Sequence, residues 1–178
     1  AMALGYIGLV NHNRVSLCAF GQTGGLQRLS DMRGRRRTRE MGSWLLGLEP
    51  GGAGTFDDAM KTLAHSRSGR GVMIVLSDFM FKEGYENGLR AVAGRGFDVF
   101  AAQLLSPEEI DPGSNGLHGD IRLVDVEDEQ ETEITVSQKL LKTYKDALNR
   151  HCGTLRDYCV RRDIPHMLVD SSTDLDVL

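Results

Sequence analysis

Cysteine is scarce in this 178-residue chain: Cys18, Cys152 and Cys159 are the whole complement, and no two of them form a C-x-x-C pair. That excludes a disulfide framework and fits a reducing, cytoplasmic setting. Cys152 and Cys159 lie seven residues apart on a predicted helix, so they share a face and are expected to pack as small hydrophobes. No stretch approaches the roughly 20 apolar residues that a membrane-spanning helix requires. Positive charge is not in excess either, since 21 Lys and Arg against 25 Asp and Glu leave a net charge of -4. No global field therefore draws the chain to nucleic acid or to an anionic membrane. The five histidines show no H-x-x-x-H spacing of the kind that ligates zinc. There is no Gly-Lys-Ser/Thr phosphate loop, and Gly51-Gly-Ala-Gly54 lacks the lysine that would reach a nucleotide's phosphates. A G-x-S-x-G nucleophile elbow is also missing. These absences argue against an NTPase or an esterase.

What is present is an apolar run that stops on a carboxylate. Gly71-Val-Met-Ile-Val-Leu-Ser77 is hydrophobic on both faces and is followed by Asp78, which predicts a central parallel strand over Val72 to Leu76 with an acid just beyond its carboxyl end. Phe97 to Leu105 is a second such run, and the helical stretch Gly84 to Ala93 between them predicts a right-handed βαβ crossover. Arg14 to Phe20 reads as a strand, and Thr55 to His65 as a helix with Asp57 and Asp58 in its first turn. Ser30 is expected to cap a long helix from Asp31 to Leu48, because Met41, Trp44, Leu45 and Leu48 follow helical spacing. Ser106 to Gly119 is loop-like. Ile121 to Asp125 and Thr132 to Val136 bracket the acidic stretch Glu127 to Glu131 and predict a hairpin on a sheet edge. From Ser137 an amphipathic helix runs to about Asp163, Pro165 to Val169 is a last strand, and Asp174 to Leu178 is read as the start of a helix. Strands alternating with helices predict an α/β fold, a doubly wound, mostly parallel sheet with helices on both faces, as a single domain over residues 1–178.

Ligands in open α/β sheets bind just outside the carboxyl ends of strands, which is where Asp78 falls. The Gly-rich turn from Gly51 to Gly54 delivers the hydroxyl of Thr55 to the same edge. Together Thr55 and Asp78 are the seed of an oxygen-ligand site for a hard cation, Mg2+ or Mn2+. Each also has an ordinary structural reading: Thr55 as a helix N-cap, Asp78 as a capping carboxylate at the strand-to-helix turn, and Ser77 as a hydroxyl satisfying loop backbone. The basic cluster from Arg33 to Arg39, with Arg35, Arg36 and Arg37 at its centre, reads as a solvated face first, as a protein-docking surface second and as a nucleic-acid contact third, since no interleaved aromatics offer stacking. The first ten residues are apolar with no cap or charged lead-in, so the chain is expected to open inside a helix, as a fragment of a longer protein would.

Taken in order, Asn13 to Phe20, Gly51 to Met60, Val75-Leu-Ser-Asp-Phe79, Gly96 to Glu109, Arg122 to Asp125, Thr135 to Ser137, Tyr144 and Asp163 to Val169 resemble a von Willebrand factor A-like domain. More narrowly, they resemble the bacterial family known as domain of unknown function fifty-eight. The resemblance implies a metal-ion-dependent adhesion site built from three loops, with Thr55 matching the second and Asp78 the third. The first, D-x-S-x-S, has no counterpart in this chain, so two side-chain oxygens leave most of an octahedral shell to water or a partner's carboxylate, and weak metal affinity is expected. The strand preceding that loop is missing as well, leaving a gap that pairing of the flanking strands or strand exchange in an oligomer would close. The resemblance further implies a non-enzymatic interaction module whose partner is a MoxR-type AAA+ ATPase, acting in protein assembly or maturation. The competing reading is a metal-assisted phosphoryl-transfer or hydrolytic enzyme using Asp78. Such chemistry generally recruits a second carboxylate or a lysine, and only Lys82 stands near.

Overall fold

The structure is a computed structural model that describes residues 1–22, 25–49, 51, 54–66, 71–113, 119–124 and 131–173. It forms two compact units, Ala1–Arg67 and Ser68–Leu178.

The first unit opens with α1 (Met2–Val10), followed by an antiparallel hairpin of β1 (Val15–Gln22) and β2 (Gly25–Met32). A 3-10 turn over Arg35–Arg37 then leads into α2 (Thr38–Leu46), and α3 (Phe56–Ser66) completes the unit. Leu9, Met32 and Met41 are fully buried at its centre, with Val15, Leu17, Leu29 and Leu45 packed around them. Gly5 of α1 sits directly against the sulfur of Met41, so closely that a Cβ at this position would overlap it; the absence of a side chain is what lets α1 approach α2.

The hairpin overturns one expectation. Ser30 caps no helix, and residues 31 and 32 end a strand; the helix begins only at Thr38. The cause is a bulge. Val15 pairs with Met32 but Leu17 pairs with Leu29, so β2 spends one more residue than β1 over this stretch, and Asp31 takes φ 56 there, its N–H donating to Ser16 Oγ at 3.1 Å. A bulge brings two apolar residues three apart to the same face. Leu29 and Met32 therefore both face the core of this unit.

In the second unit β3 (Gly71–Ser77), β4 (Phe97–Leu105) and β7 (His166–Asp170) form a parallel sheet in the order β3-β4-β7. Pairing runs unbroken from Gly71 against Phe97 to Ser77 against Gln103, and from Ala101 against His166 to Leu105 against Asp170. Among the described residues β4, not β3, is the middle strand, which corrects the reading of residues 72–76 as central. α4 (Glu86–Ala93) and α6 (Gln138–Val160) are the crossover segments. Both connections advance in the same direction across the sheet, so right-handed crossovers place both helices on one face. The alternation agrees: Val75, Val99, Ala101, Gln103 and Leu105 are buried together with Leu89, Val92, Leu155, Tyr158 and Cys159. On the other face Val72 is 72% exposed and Ile74 and Met167 are each 40% exposed. Burial pushes the Cys159 thiol up to about 11, as suits an inert core residue, and none of the three cysteines is in a disulfide.

Ser106 and Glu109 close a reciprocal capping box around the short α5 (Pro107–Ile110). β5 (Gly119–Val124) and β6 (Glu131–Val136) form an antiparallel pair of their own and do not extend the parallel sheet among the described residues. The acidic stretch between them lies outside the described residues up to Glu131, and so does the helix expected at 174–178. Ser137 caps α6 by accepting the N–H of Leu140 at 3.2 Å.

His166 opens β7. Burial, reinforced by the charge of Arg156, holds its imidazole below the ordinary value. A lowered folded-state pKa means that protons bind the unfolded chain more readily, so the stability His166 contributes is present above the ordinary histidine pKa and is lost as pH falls below it. The melting temperature is expected to drop between about pH 7.5 and about pH 5.5, and His166→Gln to flatten that slope. Equal slopes in the two proteins would refute this assignment.

Candidate functional site

The chain leaves β3 through two nested turns. Ser77 Oγ accepts the N–H of Phe79 at 3.0 Å, and Asp78 Oδ1 accepts the N–H of Met80 at 3.0 Å. Short oxygen-bearing side chains favour such turns because they mimic a backbone acceptor two residues back. The Ser77 hydroxyl stands 3.4 Å from Asp78 Oδ1. Between them Phe79 adopts φ 61, a conformation that a bulky residue reaches only at a cost. Burial of the ring offsets that cost: Phe79 is 0% exposed and meets Tyr85 and Phe81 edge-on, with centroids 6.0 Å and 6.3 Å away. Tyr85 in turn packs edge-on against Tyr158 at 5.5 Å and His151 at 6.3 Å, and the Tyr158 hydroxyl donates to the carbonyl of Glu86 at 2.8 Å. Burial first, then the nearby Glu86 carboxylate, push the Tyr85 phenol up to about 12. The aromatic cluster is thus an anchor for the loop, and it walls a cleft of about 350 Å3 together with Arg150 and Thr154.

Asp78 itself is half-buried. Its second oxygen, Oδ2, makes no hydrogen bond among the described residues. Beneath the loop, Gln103 Nε2 donates to the carbonyl oxygen of Asp78 at 3.2 Å and approaches Cys152 Sγ at 3.5 Å.

Thr55 belongs to the first unit. It is exposed and directly precedes α3, and its Oγ1 accepts the N–H of Asp58 at 3.1 Å, so the N-cap reading holds for it. A hydroxyl oxygen so engaged keeps a second lone pair. Arg35, Arg36 and Arg37 lie on the 3-10 turn and are all exposed, and Arg37 bonds Glu40 at 2.7 Å.

Among the described residues there is no group of three or more His, Cys, Asp or Glu side chains that could hold a metal. Asp78 Oδ2 and Thr55 Oγ1, each in its own unit, are hard oxygen atoms of the type that Mg2+ and Mn2+ take. Two participants escaped the sequence reading. Gln103 did carry a signal, as the one amide inside the apolar run from Phe97 to Leu105. The left-handed Phe79 carried none, because that conformation is announced by Gly, Asn or Asp.

The family model described as "Protein of unknown function DUF58" matches residues 1–154. Comparison with curated proteins returns no match. Among solved structures the chain is similar to the conserved hypothetical protein BatB from Bacteroides thetaiotaomicron, at 12% identity and a TM-score of 0.51, over 96% of this chain and 78% of that one. At that identity the likeness speaks to fold alone. No helix among the described residues is long and apolar enough to cross a membrane.

Proposed function

Because this chain belongs to the DUF58 family of proteins of unknown function, we propose that it is a non-enzymatic interaction module, a single von Willebrand factor A-like domain that binds another protein through a shared cation. The observation that supports this reading is Asp78. It is a carboxylate just past the carboxyl end of a parallel strand, with Oδ2 unbonded among the described residues, at the position where α/β sheets present ligands. In this reading Asp78 gives one oxygen to Mg2+ or Mn2+, water fills part of the shell, and an acidic side chain of the partner completes it. The family resemblance suggests the partner, a MoxR-type AAA+ ATPase, and Arg35 to Arg37 offer it a second contact through charge.

The test is co-elution of the chain with such an ATPase on size exclusion, in Mg2+ and in EDTA. Co-elution is expected in Mg2+ and is expected to vanish with EDTA or with Asp78→Ala. Complexes that survive both treatments but dissolve when Arg35, Arg36 and Arg37 are changed to Glu would replace the cation by charge docking. Hydrolysis of a phosphomonoester that disappears in Asp78→Ala would make the protein an enzyme instead.

A further inference from the structure

Gln103 stands in the middle of β4, on the helix-covered face, surrounded along its own strand by Val99, Ala101 and Leu105. It is 0% exposed, the buried polar residue of a core that is otherwise apolar among the described residues. A leucine or methionine would fill this position without burying an amide. Burying one is unfavourable unless its hydrogen bonds are made, and here they are made only in part, since Oε1 has no partner among the described residues. What the amide does accomplish is local. Nε2 donates to the carbonyl of Asp78, the first carbonyl beyond the end of β3, and the same nitrogen approaches Cys152 Sγ on α6. The hydrogen bonds of the Ser77 and Asp78 side chains stay within the loop; the Gln103 bond ties that loop to β4 and α6.

We infer that Gln103 is the positioning residue of the Asp78 loop: its carboxamide, rather than its bulk, holds the Asp78 carbonyl inward and so directs the carboxylate outward. The next residue, Phe79, is left-handed, with its ring in the aromatic cluster. The Asp78 carboxylate has Oδ1 tied to the N–H of Met80, and Oδ2 is the oxygen that the clamp presents. The clamp is independent of ligand; its consequence for cation binding rests on the reading of Asp78 given above.

Gln103→Met keeps the length of the side chain and removes the amide, including its orphaned oxygen. In the full chain, exchange of the Phe79 and Met80 amide protons is expected to accelerate about tenfold or more, while the amides of Ala101 and Leu105 keep their wild-type rates. The ratio between loop and strand is the readout that a loss of overall stability would not move. Mn2+ affinity, followed by the electron paramagnetic resonance signal of the free ion, is expected to weaken about fivefold or more, the smaller change that partial rather than complete misdirection of one ligand gives. Loop exchange at the wild-type rate overturns the clamp, whatever the cation does. Faster loop exchange in a chain whose wild type binds no Mn2+ upholds the clamp and overturns the cation reading. Faster exchange with undiminished Mn2+ affinity overturns the directing role. Should Gln103→Met fail to fold, the wild type decides: the Gln103 side-chain NH2 protons are expected to be slow to exchange, and exchange as fast as in exposed Gln138 overturns the inference.

Discussion

Asp78→Asn is expected to melt close to the wild type in cation-free buffer and to lack the rise in melting temperature that Mg2+ or Mn2+ is expected to give the wild type. Asparagine keeps the acceptor that Met80 N–H uses, so the turn survives, while the negative charge that a hard cation requires is gone. The two contributions are thereby separated. A ligand present at about one hundred times its dissociation constant stabilises the folded state by roughly 2.7 kcal/mol, and all of it is assigned to the charge at this position. Asp78→Ala is the less clean variant, because it also removes the turn acceptor, worth about 0.5–1.5 kcal/mol. Thermal titration of the three proteins checks this. A cation response of equal size in the asparagine variant would remove the Asp78 carboxylate from the site.

The largest loss of stability at the loop is expected from Phe79→Ala. The ring is fully buried among Phe81 and Tyr85, and truncation of a buried phenylalanine costs about 3–5 kcal/mol. The backbone adds an unusual ordering. At φ 61 alanine carries the strain of a left-handed residue while glycine does not, so Phe79→Gly is expected to be more stable than Phe79→Ala by about 1 kcal/mol, the reverse of the order in a helix or strand. Chemical denaturation followed by circular dichroism measures both differences. If the glycine variant is the weaker of the two, the left-handed loop and the clamp that depends on it are wrong.

The strands of the parallel sheet were legible as near-continuous apolar runs: Phe97 to Leu105 begins and ends as read, and β3 differs from its reading by one residue at either end. α6 was legible from its apolar period and from Ser137, which does cap it. β2 was not, because Ser30 is an ordinary cap by residue type and the period of Met41, Trp44 and Leu45, which belongs to α2 from Thr38 onward, does not mark where a helix starts. The place of β3 at the margin of the described sheet was equally hidden, since an apolar run says nothing of how many neighbours a strand pairs with. At the site, Asp78 stood out as a charge closing an apolar run. Its supports did not stand out together, for Gln103 and Phe79 meet it only across strands and through backbone geometry.

The contact between Gly5 and Met41 carries one more consequence. The thioether is sealed beneath a helix that has no side chain to move aside, and a sulfoxide oxygen there would have no room. Peroxide therefore reaches Met41 only when the amino-terminal unit opens, and the rate at which this methionine gains 16 Da, on the order of one oxygen atom, becomes a clock for that opening.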